Sequence, residues 1–506
     1  MIRKPWLGTR TKSNRIVGSS STREDDTWSE WDEERLRIHY QGSADVKIQN
    51  CRFGEASETI TIVYCEGLVD IKQISDFVLP ALEQVFQNGD PGAETWDKLH
   101  AKLTVAEIQA DRDMSVHLFS GALLLLHRAS KRMYAHNIES IPKRSPSESA
   151  TEISLKGPRD GFTEELSTNI ALIRKRLHTH KLYNERFILG VESQTTVSLV
   201  YLDGVINPNL VEEARRRILS YRNETALLSS SQLEETLGDS KFSLFPLIDY
   251  MGRPDYVAQS LIRGRFAVLV NGSPMALIAP SGLTEQLKSP EDLHLPYYFV
   301  ALERSLRFIG LFIAIYLPGF WVALCAFNME QLPFRLLATV SNSRQGLPLS
   351  TSMEAVLMLG LFELFREAGI RLPKAVGQTV AVVGGLIVGD AAIRAGLTSP
   401  TLLVVSAVTA VSTFTLVNQS LSGSVSVLRI FVLLGSSIFG MFGFFISMFA
   451  IVAYLSGLSS FGVGYLEPLS PVTFKDILRA VWAVPKKWKQ TKADSLKQQN
   501  LYREEP

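Results

Sequence analysis

The stretch Leu306–Phe327, LRFIGLFIAIYLPGFWVALCAF, carries a single charge, Arg307, and is long enough to cross a hydrocarbon core of about 30 Å. Comparable apolar runs follow it to about Leu458, whereas nothing before it is apolar enough to span a bilayer. The chain therefore divides into a large water-soluble part and a compact membrane module. The expected fold class is an α/β soluble domain made of two related subdomains, followed by an all-α multi-span membrane domain.

Within the membrane module, residues 296–472, four spans are expected: Leu306–Phe327, Ala375–Leu397, Thr401–Val417 and Arg429–Leu455. Between the first two, Thr351–Gly369 has too short an uninterrupted apolar core to span. It reads as an interfacial or re-entrant helix opened by a capping box of Thr351 and Glu354. Four spans return the tail, residues 473–506, to the side of the soluble domain. Its Lys475, Arg479, Lys486, Lys487 and Lys489 make that side cytoplasmic by the positive-inside rule.

The soluble part holds a duplication. Thr59–Asp70 (TITIVYCEGLVD) and Val197–Asn207 (VSLVYLDGVIN) are alternating β-branched strands that end in Tyr-x-acid-Gly. Helical patterns follow at Ile71–Phe86 and Pro208–Tyr221, then β-hairpins at Gly121–Asn137 and Gly264–Pro280, the second with Asn271-Gly272 at its turn. Two related subdomains are expected, residues 36–150 and 151–295, joined through the Pro/Ser-rich stretch Ser140–Thr151. Residues 1–35, rich in Ser and Thr with segregated charge, read as a flexible tail.

A formal net charge of +1 argues for neither a nucleic-acid nor an acidic partner, and no nucleic-acid partner is expected. Cys51, Cys65 and Cys325 form neither a disulfide framework nor a metal spacing, and no apolar segment follows the basic N-terminus to make a cleavable signal. There is no P-loop, no HExxH pair and no recognisable nucleophile–base pair, so no catalytic residue, cofactor or metal is assigned. A duplicated fold without a catalytic cluster reads as a docking platform rather than an enzyme.

The informative polar residues lie at membrane depth, where a charge is costly unless paired or wetted. Asp390 and Arg394 are spaced for an i,i+4 pair, either an ion-pathway element or a self-neutralised pair near a helix end. Glu354, Glu363 and Glu367 are candidate pore-mouth carboxylates, or else the wet face of an interfacial helix. Ser406, Thr409 and Thr413 form one hydroxyl stripe, which suits a pore lining or close helix packing. Ser436, Gly440 and Gly443 form a small-residue packing face.

Long ordered blocks resemble the A subunits of the GerA family of spore germinant receptors, including its SpoVAF-like branch. They are GPRDGFTEELSTNIALIRKRL (Gly157–Leu177), RPD (Arg253–Asp255), GRFAVLVNGSP (Gly264–Pro274), LPGFWVALCAFNMEQLP (Leu317–Pro333), SRQGLP (Ser343–Pro348), FELFREAGIRLPKAVGQTVAVVGGLIVGDAA (Phe362–Ala392) and FGVGYLEPLSP (Phe461–Pro471). The chain departs from the usual family pattern at Asp390, near Leu416–Val417 and at Gly464. The resemblance implies a multi-pass protein of the spore inner membrane with its N-terminal domain on the core side. It implies a transporter-like B subunit that binds nutrient and a lipoprotein C subunit as partners, with membrane lipid around them. It further implies a homo-oligomeric ring that conducts or gates monovalent cations, with Ser406, Thr409, Thr413 and the carboxylates facing a shared axis. The alternatives are a non-conducting, signal-transmitting scaffold and a SpoVAF-like accessory channel.

Overall fold

The computed structural model describes residues 32–53, 58–87, 102–108, 111–127, 132–140, 156–227, 229–240, 242–371 and 388–470. The tails 1–31 and 471–506, and the connection at 141–155, lie outside the described residues.

Alternating strands that end in Tyr-x-acid-Gly do recur, and they belong to two complete sheets. The first contains β1 (Val46–Phe53), β2 (Glu58–Cys65), β3 (Val105–Glu107), β4 (Ala122–His127) and β5 (Arg132–Asn137), ordered β1-β2-β4-β5-β3. The second contains β6 (Leu182–Leu189), β7 (Thr195–Leu202), β8 (Asp249–Met251), β9 (Phe266–Val270) and β10 (Ala276–Ala279), ordered β6-β7-β9-β10-β8. The two orders match position for position, and every pairing is antiparallel. The turn after β2 and after β7 needs a left-handed residue, supplied by Gly67 (φ 84) and Gly204 (φ 74).

Each turn then starts a helix. Asp70 accepts from the Lys72 amide at 3.0 Å, and Asn207 accepts from the Asn209 amide at 3.1 Å with Pro208 in the first helical turn. In the first subdomain the helix passes through a π segment, Ile74–Val78, before continuing as Leu79–Gln87. Pro80 has no amide hydrogen for the α ladder, so the irregular turn falls next to it.

The two subdomains are joined by a buried ion pair. Arg174, from the helix Leu166–Arg174, bonds Asp45 through Nε at 2.8 Å and Nη2 at 3.0 Å, and its guanidinium lies over the Phe119 ring. Ser43 accepts from Nη2 and the Thr179 carbonyl from Nη1, both at 3.0 Å. Burial alone pushes the Asp45 carboxyl up, but Arg174 overrides it and holds the group below its ordinary value. That contribution is present above the unfolded carboxylate value and is lost as pH falls through the lowered one. Removing one partner of such a pair costs about 3–5 kcal/mol, because the other charge stays buried.

A second set of charges ties the soluble part to the helices. Arg253 of the RPD block bonds Asp255 and, at 2.5 Å, Glu291; Asp292 in turn receives Arg304 at 2.7 Å and Arg307 at 3.0 Å. Arg304 and Arg307 belong to α1 (Tyr297–Phe327), whose first turns therefore sit against the soluble part. Arg307, the single charge in the apolar stretch Leu306–Phe327, is thus paired at the base of its helix.

After α1 come α2 (Phe334–Ser343), α3 (Thr351–Arg371), α4 (Gly389–Arg394), α5 (Pro400–Phe414) and α6 (Gln419–Gly457). Of these, α1 and α6 are long and apolar enough to cross a membrane, each with mean hydropathy 2.2 in its most apolar window. The expected span Ala375–Leu397 lies largely outside the described residues, which omit 372–387.

Candidate functional site in the helical bundle

Straight, α6 would extend about 58 Å, nearly twice a hydrocarbon core. It does not stay straight. Gly440 has φ 60 and ψ −137, a conformation closed to residues with a side chain, and the chain turns back there. The Gly435 carbonyl oxygen lies 2.0 Å from where a Cβ on Gly443 would stand, and Ser447 meets Gly435 in the same way at 2.4 Å. Contacts between residues eight and twelve apart are impossible along one continuous helix. The segment Arg429–Leu455, expected as one span, is therefore two arms meeting at Gly440. The small-residue face Ser436, Gly440 and Gly443 makes this corner; Ser436 packs on Gly319 and Gly440 on Phe327.

The contacts fix each helix direction relative to the soluble part. α1 leaves it at Asp292 and reaches Gly440 with Phe327. α3 begins beside Thr398 and Ser399 and brings Arg366 back to Ser422 at 3.1 Å. α5 starts at the far end, where Leu402 clusters with Val322, Ala355 and Leu433, and ends beside Gly310. The first arm of α6 leaves from Asn418, which donates to Asp249 at 2.9 Å. The second arm returns past Tyr316 and Phe320, whose rings meet Phe444, and Tyr454 accepts from the Leu244 amide at 2.9 Å. The segment Thr351–Gly369, expected as an interfacial or re-entrant helix, lies in the helix Thr351–Arg371, which runs from the far end of the bundle to its base.

The hydroxyl stripe lies inside the chain's own bundle. Ser406, Thr409 and Thr413 are 1%, 0% and 3% exposed, while Val404, Val408, Val411 and Phe414 face outward. Thr409 and Thr413 donate to the carbonyls of Val405 and Thr409 at 2.8 and 2.9 Å. The expectation that these three residues face an axis shared between copies is corrected accordingly. Side chains buried within one chain and bonded to their own helix do not line a space between chains.

Glu354 also changes role. It is 0% exposed, and its Oε1 accepts from Thr398 Oγ1 at 3.0 Å, from Ser399 Oγ at 2.6 Å and from the Ser399 amide. A carboxylate at the start of α5 is favoured by the unpaired amides and dipole there. Its own helix is capped by Ser350, whose hydroxyl accepts from the Met353 amide, one residue before the expected Thr351. Glu354 is therefore a buried clasp between α3 and α5 and not a pore-mouth carboxylate.

The remaining candidates lie on the outside. Arg394 Nε meets Asp390 Oδ2 at 2.8 Å, as the i,i+4 spacing requires, with side chains 79% and 58% exposed. Glu363 pairs with Arg366, and Glu367 is exposed beside them near the base of the bundle.

Arg429, read only as a span boundary in the sequence, is the main buried cation of the bundle interior. It is 5% exposed, donating from Nε to the Ala314 carbonyl at 3.0 Å and from Nη2 to Thr413 Oγ1 at 2.9 Å. Pro318 explains the first bond. It stands four residues after Ala314 inside α1 and has no amide hydrogen, so the Ala314 carbonyl has no helical partner. An arginine within an apolar run, together with a proline in a facing helix, was the available signal.

The chain matches the family described as Bacillus/Clostridium GerA spore germination protein over residues 34–495. Spore germination protein XA of Bacillus anthracis is 42% identical over 464 residues, covering 90% of this chain and 94% of that protein. GerLA of Bacillus cereus is 32% identical over 446 residues, covering 87% and 90%. Spore germination protein KA of Bacillus subtilis strain 168 is 30% identical over 461 residues, covering 88% and 82%. The solved N-terminal domain of the A subunit of the Bacillus megaterium spore germinant receptor GerK3 aligns with 49% of this chain and 92% of its own, at 28% identity and a TM-score of 0.38.

Proposed function

Since the chain belongs to the GerA spore germination family, we propose that it is the A subunit of a germinant receptor, a multi-pass protein of the spore inner membrane. α1 and the first arm of α6 run from a base at the soluble part to a far end, and α3, α5 and the second arm of α6 run from the far end to the base, which suits a bundle that crosses the bilayer repeatedly. The soluble part and the end of α6 then share one side, the spore core. A transporter-like B subunit binds the nutrient, a lipoprotein C subunit completes the receptor, and this chain carries no enzymatic step.

The observation that carries a conducting role is the exposed pair Asp390–Arg394 on the outside of the bundle. Charges turned outward at membrane depth are costly against lipid and favourable against water or a second chain. In a ring of copies, the outer faces of α3 and α4 would enclose an aqueous axis, with Asp390 and Arg394 towards one end and Glu363 and Glu367 towards the base. Monovalent cations would pass along this axis when nutrient binding in the partner shifts the ring.

The test is potassium efflux from liposomes holding the assembled A, B and C subunits, with and without nutrient. Nutrient should trigger efflux, and Asp390→Asn with Arg394→Gln should change its rate by about tenfold, whereas Thr409→Val should leave it nearly unchanged. Silence from an assembled, nutrient-binding complex would reject conduction. The burial of the Ser406–Thr413 stripe favours the second reading in that case, a scaffold that transmits the signal without conducting.

A further inference from the structure

A cavity of about 400 Å³ lies between the second subdomain and the base of α6. Glu234 lines it from the helix Ser230–Leu237, Asp249 and Tyr250 from β8, Gln286 and Lys288 from the segment before α1, and Asn418 from the cap of α6. A water occupies about 30 Å³, whereas ligand pockets begin near 300 Å³, so the space suits an organic molecule rather than a lone ion.

Its lining is dominated by oxygens that accept hydrogen bonds. Gln286 is 1% exposed and donates its amide nitrogen to the Pro246 carbonyl at 2.5 Å, leaving Oε1 buried without a partner. The Tyr250 hydroxyl is buried beside the Glu234 carboxylate, to which it donates, and its oxygen can still accept. Asp249 is 2% exposed and receives the Asn418 amide at 2.9 Å. Among the lining residues, the ammonium of Lys288 is already held by Glu285 Oε1 at 2.5 Å. Burial pushes Asp249 up to about 7 and Glu234 above its ordinary value, so both carboxylates lack full compensation.

We propose that this cavity binds a small organic cation bearing a primary ammonium group, held between Asp249 and Glu234. An ammonium brings three donors and no acceptor, which complements the carboxylates, the Gln286 oxygen and the Tyr250 hydroxyl. An anion would meet two carboxylates and find the lysine engaged. Asn418 links the site to the helices: it donates to Asp249 while its own oxygen accepts from the Ser420 amide at 2.9 Å and caps α6. The proposal does not depend on ion conduction.

The test is isothermal titration of the full chain in detergent micelles at about pH 8, where both carboxylates and an aliphatic amine are charged. Putrescine is the probe, with butanediol as its neutral isostere and succinate as its anionic counterpart. Putrescine should bind at one site, and butanediol and succinate should not. Glu234→Gln and Asp249→Asn should each weaken binding by about tenfold or more, and Lys288→Met by less than about threefold. Glu234 is only partly buried, so its variant keeps the test valid if Asp249→Asn fails to fold. No heat with putrescine, binding of succinate instead, or putrescine binding unchanged in Glu234→Gln would overturn the proposal.

Discussion

In the bundle interior Arg429 donates to the Ala314 carbonyl, which Pro318 leaves without a helical partner. Arg429→Met should therefore destabilise the chain by about 1–3 kcal/mol, through the orphaned carbonyl. Pro318→Ala restores an amide hydrogen four residues after Ala314. The double variant should then lose less stability than the sum of the single variants, as read by unfolding in micelles. Simple additivity would separate Pro318 from Arg429. At this scale the sequence was partly legible. The i,i+4 pair Asp390–Arg394 forms because helix geometry is local. The burial of Glu354 was not legible because its partners, Thr398 and Ser399, lie in the turn that starts a different helix, and no local spacing announces them.

Elements were legible wherever periodicity or turn chemistry is strong. Tyr-x-acid-Gly, the capping Asp70 and Asn207, and the hairpin at Asn271-Gly272 all sit where local rules place them. The short strands β3 and β8 span three residues each, too few to show alternation, and β1 carries a half-exposed polar pattern. The corner in α6 was hidden for another reason. A glycine in an apolar helix more often permits packing than reversal, and only the facing Gly435, Gly443 and Ser447 reveal the turn. Gly440→Ala would force a side chain into a disallowed conformation, with Cβ placed 2.7 Å from Phe327 Cγ. It should destabilise the chain by about 1–3 kcal/mol, whereas Gly457→Ala, which meets no atom within 4 Å, should change the melting temperature little. Equal effects from the two variants would contradict the corner.

Over the whole molecule, the division into a duplicated α/β part and a helical part follows from hydropathy and internal repetition, both properties of the chain alone. How the parts join was not legible. Arg174 reaches Asp45 across 129 residues, and Asn418 reaches Asp249 across 169. Such pairs depend on tertiary packing that single-chain patterns do not encode. In the proposed topology the bundle runs from a base at the soluble part to the opposite face of the membrane. Exposed Gln345 lies in the connection between α2 and α3 at the far end, and exposed Ser231 lies in the second subdomain. The direct measurement uses Gln345→Cys and Ser231→Cys, each with Cys51→Ser to remove the partly exposed native thiol; Cys65 and Cys325 are buried. Sealed vesicles of one orientation are treated with a membrane-impermeant maleimide before and after permeabilisation. The two positions should label from opposite faces. Labelling of both from the same face of sealed vesicles would contradict it.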